Sequence, residues 1–392
     1  MLNFTYYTPT KVFFGKDAES DVGKIIKDYG FRKIMLHYGK GSIKENGLYE
    51  RITTSLKENG IEYFELGGVS ANPKLSLVKK GAELAKKEKP ELILAVGGGS
   101  VIDSSKAIGV AAMADCDPFL FNLKKEIPKA SIPVGTVLTL SAAGSEMSSS
   151  CVVTDEERKL KRGFNSDFNR PLFSIMNPEL TYSVSPRQTA SGTVDIMMHT
   201  LERYFTKEKN VDLTDRIAEG ILKSVMIAGK KVMENPTDYE SRATLMWGSS
   251  LSHNDLTGAG RHVFLTCHQI AHEINAIYDN LTHGETLSIV FPAWAKYMAK
   301  KAPEQFVKYA VRVMNCEQDF ENPINTAFEG ITKTEEYFKS LNMPTRLSEV
   351  GVDPALFEEM AVKCTNYGER KLDCIVPLDK EDIINILELA KE

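Results

Sequence analysis

The sequence predicts an α/β unit built on a parallel sheet, followed by an all-α unit, and three observations carry that prediction. Between Lys11 and Met176 short apolar runs alternate with amphipathic stretches, as parallel strands with helical crossovers require. One of those runs feeds directly into Gly97-Gly98-Gly99-Ser100, a glycine turn between strand and helix. Beyond Ser185 the apolar period is helical nearly to the end. A chain of 392 residues also exceeds what one hydrophobic core usually supports, so two domains are expected, 1–182 and 183–392.

Taken in order, Phe4 to Tyr7 and Lys11 to Phe14 read as two short strands, separated at Thr8-Pro9 and closed by Gly15. A helix over Ala18 to Tyr29 leads to a strand at Lys33 to Tyr38, which ends in Gly39-Lys40-Gly41-Ser42. A helix over Gly47 to Asn59 precedes a strand at Glu62 to Leu66. Asn72-Pro73 reads as a cap with proline in the first helical turn, and Leu75, Val78, Ala82 and Ala85 form the apolar stripe behind it. The strand Leu92 to Val96 enters the glycine turn, and a helix runs on through Met113.

Three glycines allow the backbone to approach a diphosphate, while Ser100 and Asp103 are placed to cap the helix and leave its amides facing an anion. The turn is not a GxGxxG fingerprint, yet between strand and helix it points to a dinucleotide pyrophosphate and hence a Rossmann-like, dinucleotide-binding domain. A glycine-rich packing turn is the plain alternative. Strand Ser131 to Thr136 leads to Thr139-Leu140-Ser141-Ala142-Ala143-Gly144-Ser145-Glu146, small hydroxylated residues able to line a nicotinamide ribose. Lys159, Lys161 and Arg162 read as a charged turn, 165–169 as polar loop, and Phe173 to Met176 as a strand ending in Asn177-Pro178-Glu179-Leu180. Within this half the cofactor set comprises Gly39, Gly41, Ser42, Gly97, Gly98, Gly99, Ser100, Asp103, Thr139, Ser145, Lys161 and Leu180.

In the second half, Ser185-Pro186-Arg187-Gln188 is a capping box that starts a helix carrying Asp195 and His199. Their i, i+4 spacing puts both side chains on one helical face, about 6 Å apart. His268 and His272 repeat that spacing, and His283 follows. Five of the seven histidines lie between Ser252 and His283. An isolated Asp/His pair at helical spacing is commonly a surface or core pair. A carboxylate with three imidazoles is instead the raw material of a divalent metal site with one position open to substrate. His-Gln-Ile-Ala-His lacks the glutamate that a zinc peptidase needs after its first histidine.

The charge balance of -5 with 26% charged residues disfavours nucleic acid and anionic membrane as main partners. The N-terminal stretch lacks the apolar core of a signal peptide, and no run of ~18 apolar residues is present. Six scattered cysteines without a CxxC suit a reducing compartment. A cytoplasmic protein is expected.

With these residues in place, the chain resembles the iron-containing (group III) alcohol dehydrogenases, and within them an NADPH-dependent butanol dehydrogenase branch. The resemblance runs through YYTPTKVFFG, GKGSIKENGLY, AVGGGSVIDSSKAI, TLSAAGSEM, NPELTYSVSPRQTASGTVDIMMH and HQIAHEINAIYDNLTHGETLSIVFPAW. It implies the group III fold, shared with dehydroquinate synthase, with catalysis in the cleft between the domains. It implies that Asp195, His199, His268 and His283 bind the metal, Fe²⁺ in the family, with Zn²⁺ also suited to the donors, and that His272 stands near the nicotinamide as a candidate proton relay. A small aldehyde or alcohol substrate and a homodimer, with an N-terminal edge strand as contact, are further implications. Three departures stand out: one additional residue between His272 and His283, Gly260-Arg261-His262 where the family usually has Asp-Trp, and Asn177 in place of an aspartate.

Cofactor choice follows from the loop after the second sheet strand. An acidic side chain there accepts from a ribose 2'-hydroxyl and repels a 2'-phosphate. Gly39-Lys40-Gly41-Ser42, with Lys44 nearby, is small, hydroxylated and basic, which predicts NADP(H). Two alternatives remain at this point: a non-redox lyase or cyclase similar to dehydroquinate synthase, which needs more Lys and Arg around the metal than Arg261 supplies, and a nucleotide-binding protein without turnover. A glycerol dehydrogenase-like polyol activity is the alternative within the oxidoreductases.

Overall fold

The computed structural model describes residues 1–392. They form two compact units, Tyr7–Val184 and Ser185–Glu392, the latter together with Met1–Tyr6. The first unit contains β1 (Lys11–Phe14), α1 (Val22–Asp28), β2 (Lys33–Gly39), α2 (Ser42–Glu45), α3 (Leu48–Glu58), β3 (Glu62–Val69) and α4 (Leu75–Glu88). It continues through β4 (Leu92–Gly97), α5 (Gly99–Ala112), α6 (Phe119–Asn122), β5 (Val134–Leu138), β6 (Ser150–Asp155), β7 (Leu160–Asn165) and β8 (Phe173–Met176). Six strands make one parallel sheet in the order β1-β8-β5-β4-β2-β3. The central strands are largely apolar, with every residue of β4 buried, as a sheet covered on both faces demands.

The register fixes what the sheet can bind. Tyr38 of β2 pairs with Val96 of β4, and Gly97 pairs with Leu138 of β5. The loops 39–42, 97–100 and 139–146 therefore emerge side by side at the carboxyl edge, where open α/β sheets take their ligands.

Several sequence expectations need correction. Phe4 to Tyr7 joins neither sheet; Leu2 donates its amide to Gly260 O at 2.8 Å, and Phe4, Tyr6 and Tyr7 stay exposed. The Asn72-Pro73 pair is not a helix cap, because Asn72 adopts a left-handed conformation (φ 58°) and α4 begins at Leu75 after Lys74. The predicted strand at Ser131 starts at Val134, behind Pro133, which has no amide to donate to a ladder. Lys161 and Arg162 lie in β7, paired antiparallel with β6, and the charged turn is confined to the residues between the two strands. Asp103 does not cap α5: the N-cap is Gly98, with no side-chain bond.

His37 of β2 is fully buried, its Nδ1 donating to Leu66 O at 2.6 Å and its Nε2 accepting from Ser104 Oγ at 2.9 Å. Burial pushes its pKa down to about 4, against the opposing pull of the Leu66 carbonyl. Because the folded value lies below the unfolded value of roughly 6.5, the neutral ring contributes stability that is full above that pH. It is lost as pH falls from there to about 4, in total about 3 kcal/mol. In denaturant titrations, His37→Asn should flatten the pH dependence of stability across this window; identical slopes for the two proteins would remove His37 as the cause.

The second unit is helical throughout, with α7 (Pro186–Tyr204), α8 (Asp212–Glu234), α9 (Tyr239–His253), α10 (Thr266–Ile277) and α11 (His283–Ala299). It ends with α12 (Pro303–Arg312), α13 (Pro323–Ser340), α14 (Phe357–Cys364) and α15 (Lys380–Leu389). Ser185 starts α7, accepting from the Gln188 amide with Pro186 in the first turn, which is one half of the expected capping box. From Thr189 to Tyr204 every side chain of α7 is buried, so this helix is the axis of the unit's core. Phe205, Phe291, Trp294 and Phe306 stack beside it with ring centroids 4.5 to 6.1 Å apart. No helix is long and apolar enough to cross a membrane.

Candidate metal and nucleotide sites

On α7, Asp195 and His199 point into the core at 4% exposure each, and His268 of α10 meets them at 4%. His199 Nε2 and His268 Nε2 each lie 3.5 Å from Asp195 Oδ1, and donor atoms of the three residues all fall within 4.8 Å of one another. Asp195 Oδ1 and His268 Nε2 are buried without a hydrogen-bond partner. Leaving such atoms unsatisfied is costly, and a cation bound between them would relieve that cost. One carboxylate oxygen and imidazole nitrogens also suit a first-row divalent ion. The residues therefore fit a metal.

His283 stands beside this group but is not within its 4.8 Å set: its ring centroid is 5.1 Å from that of His268 and 5.2 Å from that of His272. It is the first residue of α11, whose start is fixed by a full capping box between Thr282 and Glu285. Arg187 grips Glu285 through two bonds of 2.7 and 2.6 Å. Gly284 lets that turn dock on α7, since a Cβ there would lie 2.2 Å from Ser191 O. Asn275 Oδ1 accepts from His283 Nδ1 at 2.9 Å, which fixes the orientation of the ring and turns its Nε2 edge away from Asn275. His272 is half-buried, its ring 6.5 Å from His268.

The electrostatics around the cluster are uneven. Burial outweighs everything else at His199 and, with His253, His268 and Arg203 adding repulsion, drives its pKa well below the usual imidazole value. At His268 burial acts in the same direction but is outweighed by Glu202 and Asp195, which raise the pKa to about 9. Sequence reasoning missed Glu202, His253 and Asn275. Glu202 is legible in principle, seven residues after Asp195 on the same helical face. His253, whose ring stacks on His199 at 4.0 Å, comes from α9 through tertiary packing that no local spacing announces.

In the α/β unit, Gly39 ends β2, Gly41 and Ser42 open α2, Gly97 ends β4, and Gly98 to Ser100 form the start of α5. Glycine at 97 and 98 also has packing reasons, because a Cβ at Gly97 would lie 2.5 Å from Val101 Cγ2 and one at Gly98 3.0 Å from Leu140 Cβ. Thr139 donates its amide to Gly97 O at 3.1 Å, tying two of the loops together. Asp103 accepts from Ser145 Oγ at 2.5 Å and from the Val152 amide at 3.0 Å. Lys161 is buried and donates to Asn72 Oδ1 at 2.9 Å. Leu180 packs into the core of the α/β unit. Next to Gly39, the Tyr38 hydroxyl donates to Glu65 at 2.7 Å, as does that of Tyr49 at 2.5 Å, and Lys44 lies over both rings.

Known proteins share both halves of this arrangement. Residues 9–178 match the family model described as iron-containing alcohol dehydrogenase, and residues 189–391 match the Fe-containing alcohol dehydrogenase family, C-terminal. The chain is 41% identical to NADH-dependent butanol dehydrogenase A of Clostridium acetobutylicum over 391 residues, covering 99% of both chains. It is 35% identical to the NADPH-dependent aldehyde reductase YqhD of Escherichia coli over 376 residues, 95% of each. The crystal structure of NADH-dependent butanol dehydrogenase A from Thermotoga maritima superposes with a TM-score of 0.96 at 36% identity, covering 100% of this chain and 99% of that one. A parallel-sheet nucleotide fold, a helical unit with a buried Asp/His cluster, and likeness along the whole length agree: the chain belongs to the iron-containing alcohol dehydrogenase family.

Proposed function

We propose that this alcohol dehydrogenase works as an NADP(H)-linked, metal-dependent reductase of small to medium aliphatic aldehydes. The observation that carries the metal half is the buried trio Asp195, His199 and His268, with two polar atoms that lack partners; His283 is proposed as the fourth ligand. A divalent cation held there, Fe²⁺ in keeping with the family name or Zn²⁺, supplies Lewis-acid polarisation of a carbonyl oxygen. The chain's own groups do the rest. Asp195 brings the negative charge that holds the ion. The buried helix faces around it exclude water from the carbonyl. Hydride passes from the dihydronicotinamide to the aldehyde carbon, and the oxygen gains a proton, for which half-buried His272 is the proposed relay. The reaction consumes one aldehyde, one reduced nucleotide and one proton, and yields alcohol and oxidised nucleotide.

The preference for a 2'-phosphate rests on loop 39–42, which carries no carboxylate. A reading with NAD(H) is favoured by two specific facts: Glu65 is bonded to the residue preceding Gly39, and the Clostridium and Thermotoga relatives carry NADH-dependent names. Oxidation of NADPH and NADH, measured side by side with butanal on Fe²⁺- or Zn²⁺-loaded protein, separates the two. Faster NADPH loss supports the proposal, and faster NADH loss transfers selectivity to Glu65. If neither nucleotide is consumed across a panel of straight-chain aldehydes, the reductase reading fails.

A further inference from the structure

We infer that Glu202 is a positioning residue for the metal site, holding His268 so that its Nε2 faces Asp195; the inference rests on the reading of Asp195, His199 and His268 as ligands. Glu202 is 1% exposed and follows Asp195 and His199 at i+7 and i+3 on the face of α7 that meets α10. Its carboxylate makes three contacts, all to the start of α10. Oε1 accepts from the Cys267 amide at 2.5 Å, and Oε2 accepts from the His268 amide at 3.3 Å and from His268 Nδ1. The helix it meets has Leu265 at its N-cap and no side-chain cap of its own, so a side chain from another helix satisfies amides that would otherwise be orphaned.

The consequence for the imidazole is specific. With the Nδ1 proton held by the Glu202 carboxylate, the ring is confined to one orientation, and Nε2, 3.5 Å from Asp195 Oδ1, is the nitrogen that would give up its proton to a metal ion. A carboxylate behind a ligating histidine also makes the ring a stronger donor. His283 has a neutral counterpart in Asn275, so the two imidazoles are held by groups of different charge, and His268 is the more strongly polarised of the pair.

Glu202→Gln preserves shape and can still accept an amide, but it removes the charge and offers an N–H where the ring needs an acceptor. Co²⁺ affinity by chelator competition, together with the visible spectrum of the Co²⁺ protein, reads the site without turnover. We expect Glu202→Gln to bind Co²⁺ about 10- to 100-fold more weakly, with altered d–d bands, while the metal-free protein keeps its helical circular dichroism. Affinity and spectrum equal to those of the wild type would overturn the inference. Co²⁺ binding by the wild type no tighter than that by Asp195→Ala would instead overturn the metal reading itself. A second measurement does not depend on the variant folding: long-range ¹H–¹⁵N spectra of the Zn²⁺-loaded wild type should show His268 protonated at Nδ1 with a strongly downfield proton. A proton at Nε2, or an Nδ1 proton at an ordinary shift, would refute the role.

Discussion

Asp195→Ala is expected to abolish retained metal and to lower aldehyde reduction by about three orders of magnitude or more, since the variant forfeits both the Lewis acid and the anion that holds it. The same change should not weaken the metal-free fold. Asp195 Oδ1 is buried with no hydrogen-bond partner, and the charge on His268 that faces it at 3.5 Å is held by Glu202 as well, so the protein without metal gains little from keeping this desolvated carboxylate. Its melting temperature should therefore stay level or rise on substitution. Metal analysis after dialysis, turnover with reduced nucleotide and butanal, and thermal melts of the metal-free proteins test the three parts together. Retention of a full equivalent of metal by the variant would exclude Asp195 as a ligand. A large fall in the metal-free melting temperature would show that the residue serves the fold.

The cluster was readable because its chemistry is written in helical spacing. Asp195 and His199 at i, i+4 needed only a helix start at Ser185, and that start is encoded by a capping serine and proline. The central strands were equally plain, since a strand buried on both faces is largely apolar, and Phe173 to Met176 was placed to the residue. What escaped depended on partners distant in sequence. The β6–β7 hairpin is polar and charged along one side, so Lys161 reads as part of a charged turn until its strand and the Asn72 side chain that receives it are in view. Asp103 sits where a helix cap would, yet its carboxylate is turned to Ser145 and Val152. Glu202 shares a helical face with Asp195, but its bond to His268 is visible only once α10 is packed against it. The pattern is physical: periodicity reports which face of an element is buried, whereas buried polar networks are closed by tertiary neighbours.

Lys106 shows how far such a network can govern a binding loop. It is fully buried, and its ammonium donates to Ser145 O at 2.7 Å, Ser145 Oγ at 2.9 Å, Ser150 O at 2.9 Å and Ser148 O at 3.1 Å, with Asp103 Oδ1 at 3.9 Å. Burial lowers its pKa and raises that of Asp103, each opposed by the other's charge. From α5 the lysine thus ties down the segment 145–150, which leads out of the candidate nucleotide loop. Lys106→Met keeps the apolar stem but leaves three carbonyls without this donor and Asp103 without its compensating charge. Breaking a buried pair from one side typically costs about 3–5 kcal/mol, and that loss is expected here in denaturant titrations. Nucleotide affinity should fall about tenfold or more, because the loop bearing Ser145 must then be ordered at the expense of binding. A variant within about 1 kcal/mol of the wild type, binding nucleotide equally well, would show that the segment is held by its backbone alone and that the buried ammonium is incidental.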